Sequence, residues 1–230
     1  MAFTCYSNFI SNCYKTLLER KKLIMSNPFF SIDHNKDNEE DKNMSSSFKS
    51  KYLCQHFQKI ENLEKDLNRL PEKDEFFFLQ TQNAFNAFTF IPKIIQSHSI
   101  SHLYASTYSL SRRVVNALIE LHDQGYIDQI TLLVSDSMIK RNPTTIDLLC
   151  GLVTSYPNIK VYFGWNHSKV ALAKTKEAHY VIEGSGNWSE NAHIEQYIFS
   201  NSKNHYEFRK QIFTESEIRY TADSRGLRKH

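Results

Sequence analysis

Asn166-His167-Ser168-Lys169-Val170 and, after an apolar stretch, Gly184-Ser185-Gly186-Asn187-Trp188-Ser189 followed by Glu195 are the residues on which the reading of this chain turns. Just upstream, Asn158-Ile159-Lys160-Val161-Tyr162-Phe163 is rich in β-branched and aromatic residues and follows a Tyr156-Pro157 stop, which predicts a strand. That strand leads to His167, and a spacing of two puts His167 and Lys169 on one face of extended chain. A second strand, His179-Tyr180-Val181-Ile182, delivers the Gly-Ser-Gly-Asn turn, where Ser185 and Asn187 are again two apart. Glycine has no Cβ, so a bulky anion can approach the turn closely. An imidazole, an ammonium, a hydroxyl and an amide thus converge on one phosphate-like anion. Lys169 offers charge-assisted donors, Ser185 and Asn187 neutral ones, and His167 a nucleophilic nitrogen at neutral pH.

Letters alone decide little. His34-Asn35-Lys36-Asp37-Asn38-Glu39-Glu40-Asp41 also spells H-x-K-x4-D, yet it lies in a charged, turn-forming run without strand character or a following G-S-x-N, and reads as a solvated decoy. The later stretch has two strands, a glycine turn and a downstream glutamate, and it resembles the phosphodiesterase motif of the phospholipase D superfamily, H-x-K followed by G-S-x-N. The resemblance spans roughly residues 75–215 and implies an α/β fold, a mixed sheet flanked by helices. It also implies metal-independent chemistry through a phosphohistidine, with no cofactor. No internal repeat is present, so the resemblance is to the short, single-motif members that build one active site from a symmetric homodimer.

Roles follow from the resemblance residue by residue. His167 is the nucleophile or its acid/base partner, Lys169 and Asn187 hold phosphate oxygens, and Ser185 supports the turn. Glu195 either orients the histidine ring or is an ordinary exposed carboxylate. Trp188 either stacks on a base or packs beneath the turn, and Arg112 with Arg113 either contacts phosphate or is solvated. One position departs from the pattern: Lys174 stands where the superfamily usually has aspartate. With Lys160, Lys169 and Lys176 it gives the strand pair a basic character suited to a polyanion, so Lys174 joins Trp188 and Arg112 as a substrate-binding expectation.

Working outward, residues 1–50 read as a flexible extension, with Met25 an alternative start and Ser31 to Ser50 dominated by Asp, Glu, Lys, Asn and Ser. Residues 51–74 read as a helix carrying Tyr52, Phe57, Ile60, Leu63, Leu67 and Leu70 at helical spacing and ending at Pro71. From Glu75 to residue 230 strands and helices alternate, as an α/β layer fold requires. Strands are expected at Phe76 to Leu79, Ala87 to Phe90, Ile100 to Thr107, Ile130 to Val134 and around Tyr197 and Phe199. Helices are expected at Ile91 to Ser97, from a Ser111 cap to Gly125, after Asn142-Pro143, and near Tyr206 to Phe213.

Composition narrows the rest. A net charge of +3 over 230 residues is too slight to argue nucleic-acid binding by itself. Cys5, Cys13, Cys54 and Cys150 lack C-x-x-C spacing, which disfavours zinc and disulfides and fits a reducing, cytoplasmic setting. No apolar run reaches the roughly 18 residues of a membrane span. The expectation is therefore a nuclease acting on DNA or RNA as a homodimer without stable membrane association. A lipid phosphodiesterase and a non-catalytic phosphate-binding module are the alternatives.

Overall fold

Ten strands join into one mixed sheet in the computed structural model, which describes residues 54–60, 62–81, 86–189 and 194–230, the first segment by its backbone. In chain order the strands are β1 (Cys54–Ile60), β2 (Glu75–Thr81), β3 (His102–Thr107), β4 (Ile130–Ser135), β5 (Ile159–Gly164), β6 (Val170–Lys174), β7 (His179–Gly184), β8 (Gln196–Asn201), β9 (Tyr220–Asp223) and β10 (Gly226–Lys229). Across the sheet they run β1-β2-β8-β7-β6-β3-β4-β5-β9-β10. β3, β4 and β5 are parallel, so their C-terminal ends share one edge of the molecule. β6, β7 and β8 then fold back and forth beside β3 in antiparallel pairs.

Helices cover both faces. On one lie α2 (Phe90–Ile95), α3 (Arg112–Asp123) and α5 (Pro143–Ser155), with the short α4 (Ser137–Arg141) leading into α5, and they bury the larger core around Phe90, Ile94, Val115, Leu149, Val161, Phe163 and Phe199. On the other lies α6 (Lys203–Glu215), whose Tyr206 packs on Val170, Leu172 and Val181. β6 is therefore apolar on both sides, Ala171 and Ala173 facing the larger core and Val170 and Leu172 facing α6. Caps behave as their chemistry requires: the Ser111 hydroxyl accepts from the Val114 N–H at 3.3 Å, and the Asn142 side chain accepts from Thr145 N–H at 3.4 Å with Pro143 opening α5.

The α/β class and the mixed sheet flanked by helices agree with the expectation from sequence. Two local readings do not. Residues 51–74 are not one helix: β1 pairs in parallel with β2, and a single helical turn, α1 (Leu63–Asp66), follows. The Asn62 side chain accepts from the Glu64 and Lys65 N–H groups and starts that turn afresh, while β1 satisfies an edge of β2 that a helix would leave bare. Ala87 to Phe90 is a 3-10 turn running into α2, not extended chain, because helical spacing lets Phe90, Ile91 and Ile94 all reach the core. β6 and the β9–β10 hairpin were not anticipated. The expected extension at residues 1–50, the His34 decoy and Cys5 and Cys13 lie outside the described residues.

Candidate active site

Two loops meet at the edge where β3 and β5 end. The first follows β5 and carries Trp165 through Lys169; the second follows β7 and carries Ser185 through Ser189. Asn166 fixes the first loop from below. It is buried, its amide nitrogen donates to the Thr107 and Leu133 carbonyls at 3.2 and 3.1 Å, and its oxygen accepts from the Ser168 N–H and hydroxyl at 2.9 and 2.7 Å. Ser168 also hydrogen-bonds Ser106 of β3. The exposed His167 is thus held between two anchored neighbours.

Lys169 turns back on this histidine. Its Nζ donates to the His167 carbonyl at 2.9 Å and lies 3.2 Å from Nδ1 of the ring. An ammonium only donates, so Nδ1 accepts and the neutral ring carries its proton on Nε2. Burial lowers the Lys169 ammonium below the ordinary lysine range, and Glu195 and Tyr108 partly offset this. The Tyr108 ring packs on His167 with centroids 4.6 Å apart, and its face also receives the Arg141 guanidinium at 4.4 Å and the Lys169 ammonium at 5.9 Å.

The glycine turn is braced from both sides. Ser185 donates to the Glu195 carboxylate and accepts from the Gln196 N–H at 3.1 Å. Glu195 is itself tied to β2, its N–H donating to the Thr81 hydroxyl at 3.1 Å. A Cβ at Gly184 would sit 2.0 Å from the Gln196 carbonyl oxygen, so only glycine lets β7 and β8 close up as the turn begins. Trp188 is fully buried, its ring edge-on to Phe88 at 5.6 Å and its backbone N–H donating to the Ser109 carbonyl at 3.1 Å. Beside Lys169 opens a cavity of about 850 Å³ between α6 and the strands β2, β8 and β7, floored by Phe78, Ile198, Val170 and Ile212, with Gln80 and Gln196 near the turn. Glu183 and Arg209 form its polar wall, the guanidinium paired with the carboxylate.

The expected residues therefore separate into groups. His167, Lys169, Ser185, Asn187 and Glu195 belong to these two adjoining loops and the start of β8. The Glu195 carboxylate, however, is buried against Ser185 instead of reaching the His167 ring. Trp188 has no face available to a base, because the turn needs it as its packing support. Lys174 is at the opposite end of β6, paired in register with His102 and His179, so it is no neighbour of Lys169. Arg112 is the exposed first residue of α3 and touches none of these groups. Sequence reasoning passed over Tyr108, Arg141 and the bracing by Asn166. Position just beyond the C-terminal ends of parallel strands is the signal that would have drawn attention to Tyr108 and Arg141.

No family model matches this chain, and no curated protein does. Solved structures similar to it include NucT from Helicobacter pylori, 20% identical over 66% of this chain and 99% of that one, with a TM-score of 0.45. TrmBL2, an archaeal chromatin protein whose structure is described as showing a novel mode of DNA binding, is 9% identical over 61% of this chain and 51% of that one, with a TM-score of 0.42. Phosphatidylserine synthase of Haemophilus influenzae is 12% identical over 62% of this chain and 39% of that one, with a TM-score of 0.45.

Proposed function

We propose that the chain is a metal-independent phosphodiesterase of the phospholipase D type, acting on DNA or RNA. The observation that carries this reading is the meeting of the His167–Lys169 loop and the glycine turn at one end of the sheet, where the Gly184 N–H donates to the Lys169 carbonyl at 3.3 Å and both residues border a cavity wide enough for a phosphodiester. Bound phosphate draws the Lys169 ammonium away from Nδ1 and takes further hydrogen bonds from Asn187. With its proton moved to Nδ1, the His167 ring attacks phosphorus through Nε2; the P–N bond forms as the P–O bond to the leaving group breaks. A second copy of the chain, related by a two-fold axis, supplies the His167 that protonates the leaving oxygen. Water then cleaves the P–N bond, giving up its proton to that same second imidazole.

Nucleic acid is favoured over lipid by the cations grouped around Tyr108 and His167. Lys169 and Arg141 have no carboxylate within ion-pairing distance among the described residues, which suits an extended polyanion. The chain incubated in EDTA with labelled DNA, RNA and phosphatidylcholine should cleave a nucleic acid, and His167→Ala should not. Equal behaviour of the two proteins on every substrate would refute the catalytic reading, and cleavage of phosphatidylcholine alone would move it to lipids. Sedimentation should give a dimer at micromolar concentration, since a strict monomer would hold only half of the proposed machinery.

A further inference from the structure

Beside His167 the surface carries two aromatic side chains, each associated with an arginine. Trp165, two residues before the histidine, is 88% exposed, the most open large apolar side chain among the described residues. The Arg219 guanidinium lies 5.8 Å from its ring centroid and is itself held by the Asp136 carboxylate at 2.7 Å. Tyr108 is the second ring, with Arg141 over its face; Arg141 is anchored by the Ser137 hydroxyl at 3.0 Å and the Tyr108 carbonyl at 3.4 Å.

Helix α4 links the pairs. Asp136 precedes it and Arg141 ends it, so the two anchor points are about 7.5 Å apart at about 1.5 Å rise per residue. An unstacked strand spaces its phosphates more widely than the roughly 3.4 Å axial rise of a duplex strand, so this interval suits neighbouring phosphates of a single strand. A flat, open ring next to fixed cations is what an unstacked base with its phosphate requires, and a base inside a duplex cannot reach such a face. A membrane is the poorer match. Interfacial anchoring needs a group of apolar side chains, whereas Trp165 stands among Asn166, Glu217 and Arg219.

Resting on the phosphodiesterase reading above, we propose that Trp165 and Arg141 form a subsite for single-stranded nucleic acid. Trp165 stacks on a base near the scissile phosphate, and Arg141 pairs with a neighbouring phosphate. Because Trp165 takes any base by its π face, the subsite discriminates strandedness and not sequence.

The test measures binding in a His167→Ala background, where nothing is cleaved, with a labelled single-stranded 12-mer and the blunt duplex of the same sequence. The single strand should bind more tightly than the duplex. Trp165→Ala should weaken single-strand binding by roughly 5- to 150-fold, the range of one base–aromatic stack, and Trp165→Phe should restore most of it. Arg141→Gln should lower the slope of log affinity against log salt by about 0.7. The proposal is overturned if Trp165→Ala binds the single strand like its parent, or if the duplex binds equally well. It is also overturned if Trp165→Ala acts only by dissociating a dimer, which makes Trp165 a subunit contact, or only by releasing the protein from anionic vesicles. Cleavage by the unmutated chain is scored separately: binding that follows the prediction without any cleavage would remove the catalytic reading and leave the subsite.

Discussion

The two ends of strand β6 each hold a histidine beside lysine, and only one of them is built as a site. At the first, His167 and Lys169 sit on loops pinned by Asn166, Ser185 and Glu195, next to the cavity. At the second, His102 is paired in register with Lys174 and stacks on Tyr104 at 3.9 Å, with Nε2 3.0 Å from the Thr131 hydroxyl. Burial, then Lys210, Lys160 and Lys174, press the His102 pKa down to about 4. That ring stays neutral with one nitrogen on Thr131 and its face on Tyr104, so it has little left to offer a substrate. The ends lie about 16 Å apart at about 3.3 Å per residue. What separates them is the hydrogen-bonded frame and the open space, not the pairing of a histidine with a lysine.

The largest expected contrast is catalytic. His167→Ala should lower phosphodiester hydrolysis by about a thousandfold or more, whereas His102→Ala should keep turnover within about twofold; comparable losses would erase the distinction. Next comes the ammonium. Lys169→Met should cost about a hundredfold in kcat, against little change for Lys160→Met near His102, as measured on one small chromogenic phosphodiester.

The frame is probed by stability. Trp188→Ala, beneath the glycine turn, should cost about 3–5 kcal/mol in denaturant unfolding. Gly184→Ala should cost about 1–3 kcal/mol, because the added methyl meets a backbone carbonyl that cannot swing aside. The smallest effect belongs to the other end. The native His102 pKa lies below the unfolded value of 6.5, so between these pH values the unfolded chain binds a proton that the folded one does not. Stability should fall as pH drops from 6.5 towards 4, and His102→Gln should flatten that part of the profile. Glu183 acts in the same sense at lower pH. Burial alone would raise its carboxyl, but hydrogen bonds from His205 and Arg209 outweigh this and hold it below the ordinary range, so its contribution is lost as pH falls below 4.5.

Local chemistry wrote much of this into the sequence. The strands around the motif, the Ser111 and Asn142 caps and the glycine turn depend on neighbours a few residues away, and each was legible. β6 was not, because Val170-Ala171-Leu172-Ala173 is apolar on both faces and so lacks the alternation that marks a strand. Residues 54–60 were misread because the parallel pairing with β2 lies outside any local window. In the site, Asn166 reaches carbonyls 59 and 33 residues away, and such contacts leave no periodic trace. Lys174 misled for a related reason: nearness in sequence to Lys169 became the full length of a strand in space.

Asn166 also lets the site fail apart from the fold. Asn166→Asp would change one nitrogen to oxygen and scarcely alter the shape, yet it would turn a group that donates to two carbonyls into one that repels both. The His167 loop would come loose from β3 and β4 while the rest of the sheet stayed intact. That single substitution should therefore cost function before it costs the fold.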